Sequence, residues 1–168
     1  MSAATDRRAL EAAYRRTRYV VLLPRFELVL SIDVHDPAAD RRLALEAGCR
    51  AAWAMITPCN PFSVVASEEA NRRALDEMRV ELDACPARWL ASVSRDPLGE
   101  WPDEPGYFLV DPDLAWVVEL GRRYRQNAVV TGRLGGAPRL IFCHSERSEE
   151  SRKEAVRGHS RSPSLRSG

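Results

Sequence analysis

The stretch "AAWAMITPCNPFSVVASEEANRRALDEM", residues 51–78, decides the fold. It begins with an apolar run of strand length, residues 51–57, and continues through a polar Asn-Pro-Phe-Ser turn. Ser67 is a favourable helix N-cap, and Glu68 and Glu69 occupy the first turn, where the helix dipole favours acidic side chains. The pattern therefore predicts a buried strand, a tight turn and a helix in direct succession.

One polar residue interrupts the apolar stripe of this predicted helix. Leu75, Met78 and Leu82 recur at helical spacing, and one turn before Leu75 the same stripe reaches Asn71. Burying an unpaired amide costs about 1–3 kcal/mol, so Asn71 must find hydrogen-bond partners. Two interpretations are open: Asn71 bonds the Asn-Pro-Phe-Ser turn and holds the loop, or it contacts a ligand.

On the N-terminal side of this stretch the pattern predicts a helix, a hairpin and a second helix. The hairpin turns at Pro24-Arg25, between two runs in which apolar residues alternate. The second helix runs from about Pro37 to Ala47 and ends at Gly48, the usual place of a helix-terminating glycine.

On the C-terminal side we expect two strands, a helix and a hairpin. Asp111 is the expected cap of that helix, Asn127 the expected left-handed residue at its end, and Gly135-Gly136 the expected two-residue hairpin turn. The elements together predict an α+β fold: a single domain over residues 1–143, with a mixed, mostly antiparallel sheet and about four helices.

Composition excludes several classes of protein. The formal net charge of +1 provides no field that would favour nucleic acid, and no run approaches the roughly 20 apolar residues that span a bilayer. The four cysteines form no Cys-x-x-Cys pair, which argues against structural zinc and against a disulfide framework. We expect a cytoplasmic protein with no metal and no cofactor, and composition does not determine its oligomeric state.

From residue 144 the composition changes. Residues 144–168 are rich in Ser, Arg and Glu and hold few aliphatic side chains, so we expect a disordered tail. Its "CHSERSEESR" stretch resembles the translation of a dispersed bacterial intergenic repeat, which suggests a read-through extension. The alternative is an Arg/Ser-rich tail that binds RNA or a protein partner.

Chemistry-bearing residues occur in three blocks that flank predicted strands. Most are carboxamides, which donate and accept hydrogen bonds at once and suit recognition of a polar ligand better than proton transfer. The candidates for ligand contact are Asn60, Ser63, Asn71, Trp101, Glu104, Gln126 and Asn127. Glu104 is the only candidate general base among them, and burial beside Trp101 would raise its pKa toward a useful range.

Each of these residues also has a purely structural explanation. In that explanation Asn60 and Ser63 are ordinary turn residues, Glu104 is an ordinary loop acid, and Gln126 and Asn127 only end a helix. The structural explanation of Trp101 is packing.

Other chemistries find less support. Cys59 and His35 form the only nucleophile–base pair available, and nothing brings them together. The acids of the loop at residues 96–104 match no cation-binding pattern.

Four segments carry a resemblance to a known family. "AWAMITPCNPFS", "EEANRRALDEM", "DPLGEWPDEPGYFLV" and "RYRQNAVVTG", in this order and spacing, resemble the bacterial domain of unknown function 3293, over about residues 9–142. This family has no established activity, so the resemblance does not indicate what the chain does.

The residues favour a small polar or anionic ligand bound at the Asn-Pro-Phe-Ser turn, with the "WPDEPG" loop closing over it. The alternatives are a protein-interaction module with no ligand site, and a hydrolase or transferase that uses Glu104 as general base. Whether the protein is an enzyme stays open at this point.

Overall fold

The computed structural model describes residues 3–144. Its four α-helices are α1 (Ala3–Arg16), α2 (Pro37–Glu46), α3 (Glu68–Asp83) and α4 (Leu114–Arg123). Its strands are β1 (Arg18–Leu22), β2 (Glu27–Leu30), β3 (Ala52–Ile56), β4 (Arg88–Arg95), β5 (Glu104–Val110), β6 (Ala128–Arg133) and β7 (Arg139–Phe142). A short 3₁₀ helix, Pro61–Ser63, follows β3. The predicted α+β class and the predicted order of helices and strands are confirmed.

The seven strands form one sheet in the order β2-β1-β4-β5-β3-β6-β7, and every neighbouring pair is antiparallel. The sheet curls, because its two edges are tied together at one end. Asp33 N–H, just beyond β2, donates to the Pro138 carbonyl just before β7, at 2.9 Å. Gly135 N–H, in the β6–β7 turn, donates to the Asp40 carboxylate of α2, at 2.8 Å.

Both faces of the sheet are buried. The face that α2 covers, called here the inner face, carries Phe108 and Trp53, whose rings stack with centroids 5.4 Å apart. The opposite, outer face packs against Met78 of α3 and Val117 of α4. Because neighbouring side chains of a strand point to opposite faces, β3 needs apolar residues throughout. This explains the uninterrupted run that the sequence shows at residues 51–57.

Helix α1 lies across the inner face near the end of the sheet where β3 finishes. Arg15 forms an ion pair with Asp33, and Arg7 lies over the Phe142 ring, 4.2 Å from its centroid. The Tyr19 hydroxyl donates to the Tyr14 carbonyl at 2.9 Å. These contacts hold α1 above the sheet, and between them α1 and the sheet leave a space.

The structure corrects the expected role of Asp111. The cap of α4 is Asp113, whose carboxylate accepts from Trp116 N–H at 3.0 Å. Asp111 instead has a positive φ of 48° and accepts from three consecutive backbone N–H groups at the start of β3, those of Arg50, Ala51 and Ala52, at 2.8–2.9 Å. Burial opposes ionisation, but these three donors and the Arg50 charge hold the pKa of Asp111 below its ordinary value.

The second correction concerns the β6–β7 turn. The hairpin is present, but its turn bond runs from Gly136 N–H to the Arg133 carbonyl, so Leu134 and Gly135 are the central residues. Gly135 takes the positive φ, 87°, that only glycine adopts without cost. The predicted glycine pair therefore lies one residue beyond the centre of the turn. Gly48, with a φ of 68°, does end α2 as expected.

The predicted tail begins at residue 144, and from residue 145 onward it lies outside the described residues. None of the helices within residues 3–144 combines the length and the apolar character that crossing a membrane requires.

We predict that Gly106→Ala destabilises the protein. A Cβ at Gly106 would lie 2.4 Å from the Ile56 carbonyl oxygen, which belongs to the neighbouring strand and cannot move aside. Overpacking of this kind costs about 1–3 kcal/mol. Gly136→Ala is the control, because the nearest atom to its added Cβ lies at 3.7 Å. Equal urea midpoints for the two variants would contradict the prediction.

Candidate functional site

A cavity of about 400 Å³ lies between α1 and the inner face of the sheet. The floor is made of small side chains on three strands: Ser92, Ser94, Gly106 and Ala128. Elsewhere on the same face, large side chains such as Phe108 fill the space. The cavity exists because these small residues leave α1 nothing to pack against.

Glu104, at the start of β5, is the carboxylate inside this cavity. Its Oε1 accepts two hydrogen bonds, from Asn60 Nδ2 at 2.8 Å and from Trp101 Nε1 at 3.0 Å. Among residues 3–144 no group hydrogen-bonds the other oxygen, Oε2. Burial raises the pKa of Glu104, and the two neutral donors offset this only in part. The carboxyl group therefore ionises less readily than an exposed glutamate.

Asn60 is the centre of the hydrogen bonds that hold Glu104. Its side chain is 3% exposed and its φ is +49°. Its Oδ1 accepts from Ala66 N–H at 3.0 Å and from Asn71 Nδ2 at 2.9 Å, while its Nδ2 is the donor to Glu104. Its Oδ1 thus accepts two hydrogen bonds within the protein, and its Nδ2 donates one.

Asn71 answers the question raised by its place in the apolar stripe. Its Oδ1 accepts from the backbone N–H of Asn60, and its Nδ2 donates to the Asn60 Oδ1, both at 2.9 Å. It is not among the described residues that line the cavity. Asn71 therefore ties down the turn from behind, as the first of its two interpretations proposed.

The Asn-Pro-Phe-Ser turn is an unusual piece of backbone. Asn60, Phe62 and Ser63 all have positive φ, between 49° and 57°. Asparagine tolerates this region, but it costs an aromatic residue more. Phe62 N–H donates to the Arg125 carbonyl at 2.7 Å, so the turn is also fixed to the end of α4.

Gln126 and Asn127 reach the same turn from the other side. Gln126, 5% exposed, donates through Nε2 to the Cys59 carbonyl at 2.9 Å. Asn127 Nδ2 donates to the Ser63 hydroxyl at 2.8 Å. The expected left-handed role of Asn127 is wrong: Arg125, with a φ of 56°, takes that position at the end of α4. Asn127 is thereby free to bond the turn.

Of the seven predicted residues, the structure brings five to the cavity wall: Asn60, Ser63, Trp101, Glu104 and Gln126. Asn71 and Asn127 support the turn and do not line the cavity within the described residues. The antiparallel pairing of β3 with β6 explains the convergence, because the end of β3 lies beside the start of β6.

The cavity residues that were not foreseen include Ser92, Ser94 and Tyr14. The two serines follow Leu90 at every second position of β4, where a buried face would carry apolar residues. This change from apolar to polar residues on one face of the strand was the available signal. Burial raises the pKa of Tyr14 to about 12, and the polar side chains of Ser63 and Asn127 offset this only in part. The available signal for Tyr14 was its phenol hydroxyl on the apolar side of α1.

The mouth of the cavity carries an ion-pair cluster. Arg16 of α1 contacts Asp96 Oδ1 at 3.4 Å and Glu100 Oε2 at 3.1 Å. Burial favours the neutral acid, but the backbone N–H groups of Leu98 and Glu100 and the Arg16 guanidinium lower the pKa of Asp96 overall. Arg16 is thus already neutralised by its own neighbours.

Thiol and metal chemistry are not supported by the described residues. His35 contacts Asp40 at 2.9 Å, and burial raises the pKa of the Cys59 thiol, so the reactive thiolate is disfavoured. Within residues 3–144 no group of three or more His, Cys, Asp or Glu side chains is placed to hold a metal ion.

We predict that Asn71→Ala lowers the free energy of unfolding by about 1–3 kcal/mol, because it leaves the Asn60 N–H buried without a partner. Arg72→Ala, at an exposed neighbouring position of α3, is the control and should have little effect. Chemical denaturation of both variants measures the difference. An Asn71→Ala variant as stable as the control would show that the turn does not depend on this pair.

We also predict a pH effect that Glu104→Gln removes. Glutamine keeps an oxygen acceptor for Asn60 and Trp101 but does not titrate. Since the folded-state pKa of Glu104 is raised above 4.5, its contribution to stability is complete below that pH and is lost as pH rises through the folded-state pKa. The stability of wild type relative to Glu104→Gln should therefore fall as the pH rises above 4.5, and it should level off once the pH exceeds the folded-state pKa. A difference that stays constant with pH, in urea unfolding at each pH, would contradict this assignment.

Part of the chain matches a known sequence family. No curated protein and no solved structure matches the chain. Residues 56–129 match a sequence family, and this segment includes all seven predicted residues, whereas α1 and its cavity wall lie outside it. Over residues 56–129 the chain is thus similar to the family described as Protein of unknown function (DUF3293).

Proposed function

We propose that this protein binds a small polar ligand in the cavity beneath α1, with Glu104 as the central contact. The observation that carries the proposal is the one-sided bonding of this carboxylate. Asn60 and Trp101 hold Oε1, and no described residue bonds Oε2. Buried polar atoms are normally satisfied, so an open acceptor on a cavity wall is a contact point for a ligand or for water.

The size and the lining of the cavity agree with this proposal. Its volume of about 400 Å³ lies in the range of small-molecule sites, roughly 300–1,000 Å³. Apolar side chains such as Leu10, Met55 and Val130 line part of it, while Ser92 and Glu104 contribute polar atoms. Ligand sites commonly combine an apolar wall with a few polar groups in this way.

The charges favour a polar ligand over the anionic one that the sequence also suggested. Glu104, Asp96 and Glu100 line the cavity against a single guanidinium, that of Arg16. The start of α3 offers no compensating anion site, since none of its described residues lines the cavity. An anion would therefore enter a region that is already negative.

A hydrolase or transferase is the second candidate function. The raised pKa of Glu104 favours it, because a general base works best with a pKa near the working pH. Ligand binding does not require catalysis by Glu104. In the catalytic alternative, the ligand that the cavity binds is the substrate.

The interaction-module alternative has a separate observation in its favour. Phe62, Val64 and Val65 are 39–66% exposed within four residues, although such short apolar surfaces are common. The "WPDEPG" loop offers less apolar surface to a partner protein, because the Trp101 indole turns inward to Glu104. A binding surface at this loop would have to do without its largest apolar side chain.

Filling the cavity tests the proposal. Ala13 of α1 lines the cavity, so we expect Ala13→Phe to block it; Ala12→Phe places the same side chain on the exposed side of the helix. A ligand found by native mass spectrometry or by a fragment screen should stabilise wild type and Ala12→Phe against heat, by about 3 kcal/mol at a hundredfold excess over Kd. It should not stabilise Ala13→Phe.

Two results would overturn the proposal. One is a ligand that stabilises Ala13→Phe as much as the wild-type protein, because its site would then lie elsewhere. The other result has two parts. The native preparation and the fragment screen give no ligand, and a partner protein binds Ala13→Phe as well as it binds wild type.

A further inference from the structure

The Glu104 carboxylate has no positively charged partner within residues 3–144. Its two hydrogen-bond donors, Asn60 and Trp101, are neutral. The only guanidinium in the described cavity wall, Arg16, is already paired with Asp96 and Glu100. Charges that are shielded from water are normally paired, and the open side from which an ionised Glu104 could receive a counter-charge is the cavity.

Two hydroxyl groups beside Glu104 are also without protein partners. Ser94 is the cross-strand partner of Glu104, and Ser92 is the partner of Gly106, the next residue of β5 on the same face. Ser92 is 4% exposed, yet in the described part of the chain neither serine hydroxyl forms a hydrogen bond. Directly opposed Cβ atoms of a sheet lie about 5 Å apart and diagonal neighbours about 7–8 Å, so the Glu104 carboxylate and the two serine hydroxyls form one small patch on this face.

This patch matches the donors of a primary ammonium group. An ammonium carries three N–H donors and one positive charge, and it accepts nothing. A carboxylate oxygen supplies the charge partner, and the two hydroxyls supply the remaining acceptors. The apolar side chains of Leu10, Ala13, Met55 and Val130 would surround the rest of such a molecule.

We propose that the ligand of this cavity is a small organic cation, a primary amine on an apolar body, whose ammonium group pairs with Glu104 and bonds Ser92 and Ser94. The inference rests on the proposed function and names the chemical class of its ligand. A free metal ion fits the site less well, because Ca²⁺ and Mg²⁺ require about six oxygen ligands and Glu104 is the only acid here that no arginine engages.

The test compares molecules that share a body and differ in one group. Butylamine, benzylamine and phenethylamine are each paired with the alcohol and with the carboxylate of the same body, and binding is measured by ligand-observed NMR titration and calorimetry. Because a hydrogen bond to a charged group contributes about 1.5–3 kcal/mol, the best amine should bind about tenfold or more tightly than its alcohol. The carboxylate should bind most weakly, since it meets the charge of Glu104.

Two variants locate the effect. Glu104→Gln keeps the shape and removes the charge, so it should abolish the preference for amine over alcohol while the affinity for the alcohol changes little. Ser94→Ala should weaken amine binding by less than Glu104→Gln, because it removes an acceptor and not the charge partner. Ala13→Phe should abolish binding of every probe.

The outcomes separate this inference from the proposed function. If alcohols or carboxylates bind wild type as tightly as the amines and Ala13→Phe abolishes that binding, the cation is wrong and the ligand cavity stands. Failure of every amine to bind wild type also overturns the inference. Amine binding that survives both Glu104→Gln and Ala13→Phe overturns the inference and the proposed function together.

Discussion

The hydrogen bonds of Asn60 are the interaction on which the rest of this structure depends. Asn60 follows β3 with a φ of +49°, a conformation that asparagine adopts more readily than any residue but glycine. Its backbone N–H and its side chain then bond Asn71 of α3, Ala66 before α3, and Glu104 of β5. One buried residue thereby joins the turn after β3 to the start of α3 and to the start of β5.

This arrangement explains why the turn carries so many polar residues although it lies at the edge of the core. A glycine at position 60 would accept the backbone conformation, but it would remove the carboxamide that bonds Ala66, Asn71 and Glu104. Asn127 and Gln126 hold the far side of the turn through Ser63 and Cys59. The turn bends the chain, and it also holds a carboxylate in place; the second task is the one that requires carboxamides.

The cavity follows from a different constraint, the size of the side chains on the inner face. Gly106 must be glycine because β3 approaches it closely. The side chains around it are also small, namely those of Ser92, Ser94 and Ala128, so they do not fill the space below α1. Large residues on the same face, such as Phe108, pack beneath α2 instead. As a result α1 spans a space in which Glu104, among the described residues, is the one acid that no arginine contacts.

The sequence by itself determined the features that depend on neighbours in the chain. The helix stripe at Leu75 and Met78, the Ser67 cap and the end of α2 at Gly48 arise from periodicity and local hydrogen bonding, and the structure agrees with each. The polar residue in the stripe, Asn71, was visible for the same reason. Its need for partners could be predicted, although the partners themselves could not.

The tertiary structure alone decided which groups meet. Asp111 is not the expected cap, and Arg125 takes the left-handed conformation expected of Asn127. Both conformations serve contacts with residues far away in sequence: Asp111 with the start of β3, and Arg125 with Phe62. The order of the strands brought Ser94 opposite Glu104 and laid Tyr14 over the turn. Local pattern carries no information about such distances, since they depend on how the whole sheet curls and on what α1 finds beneath it.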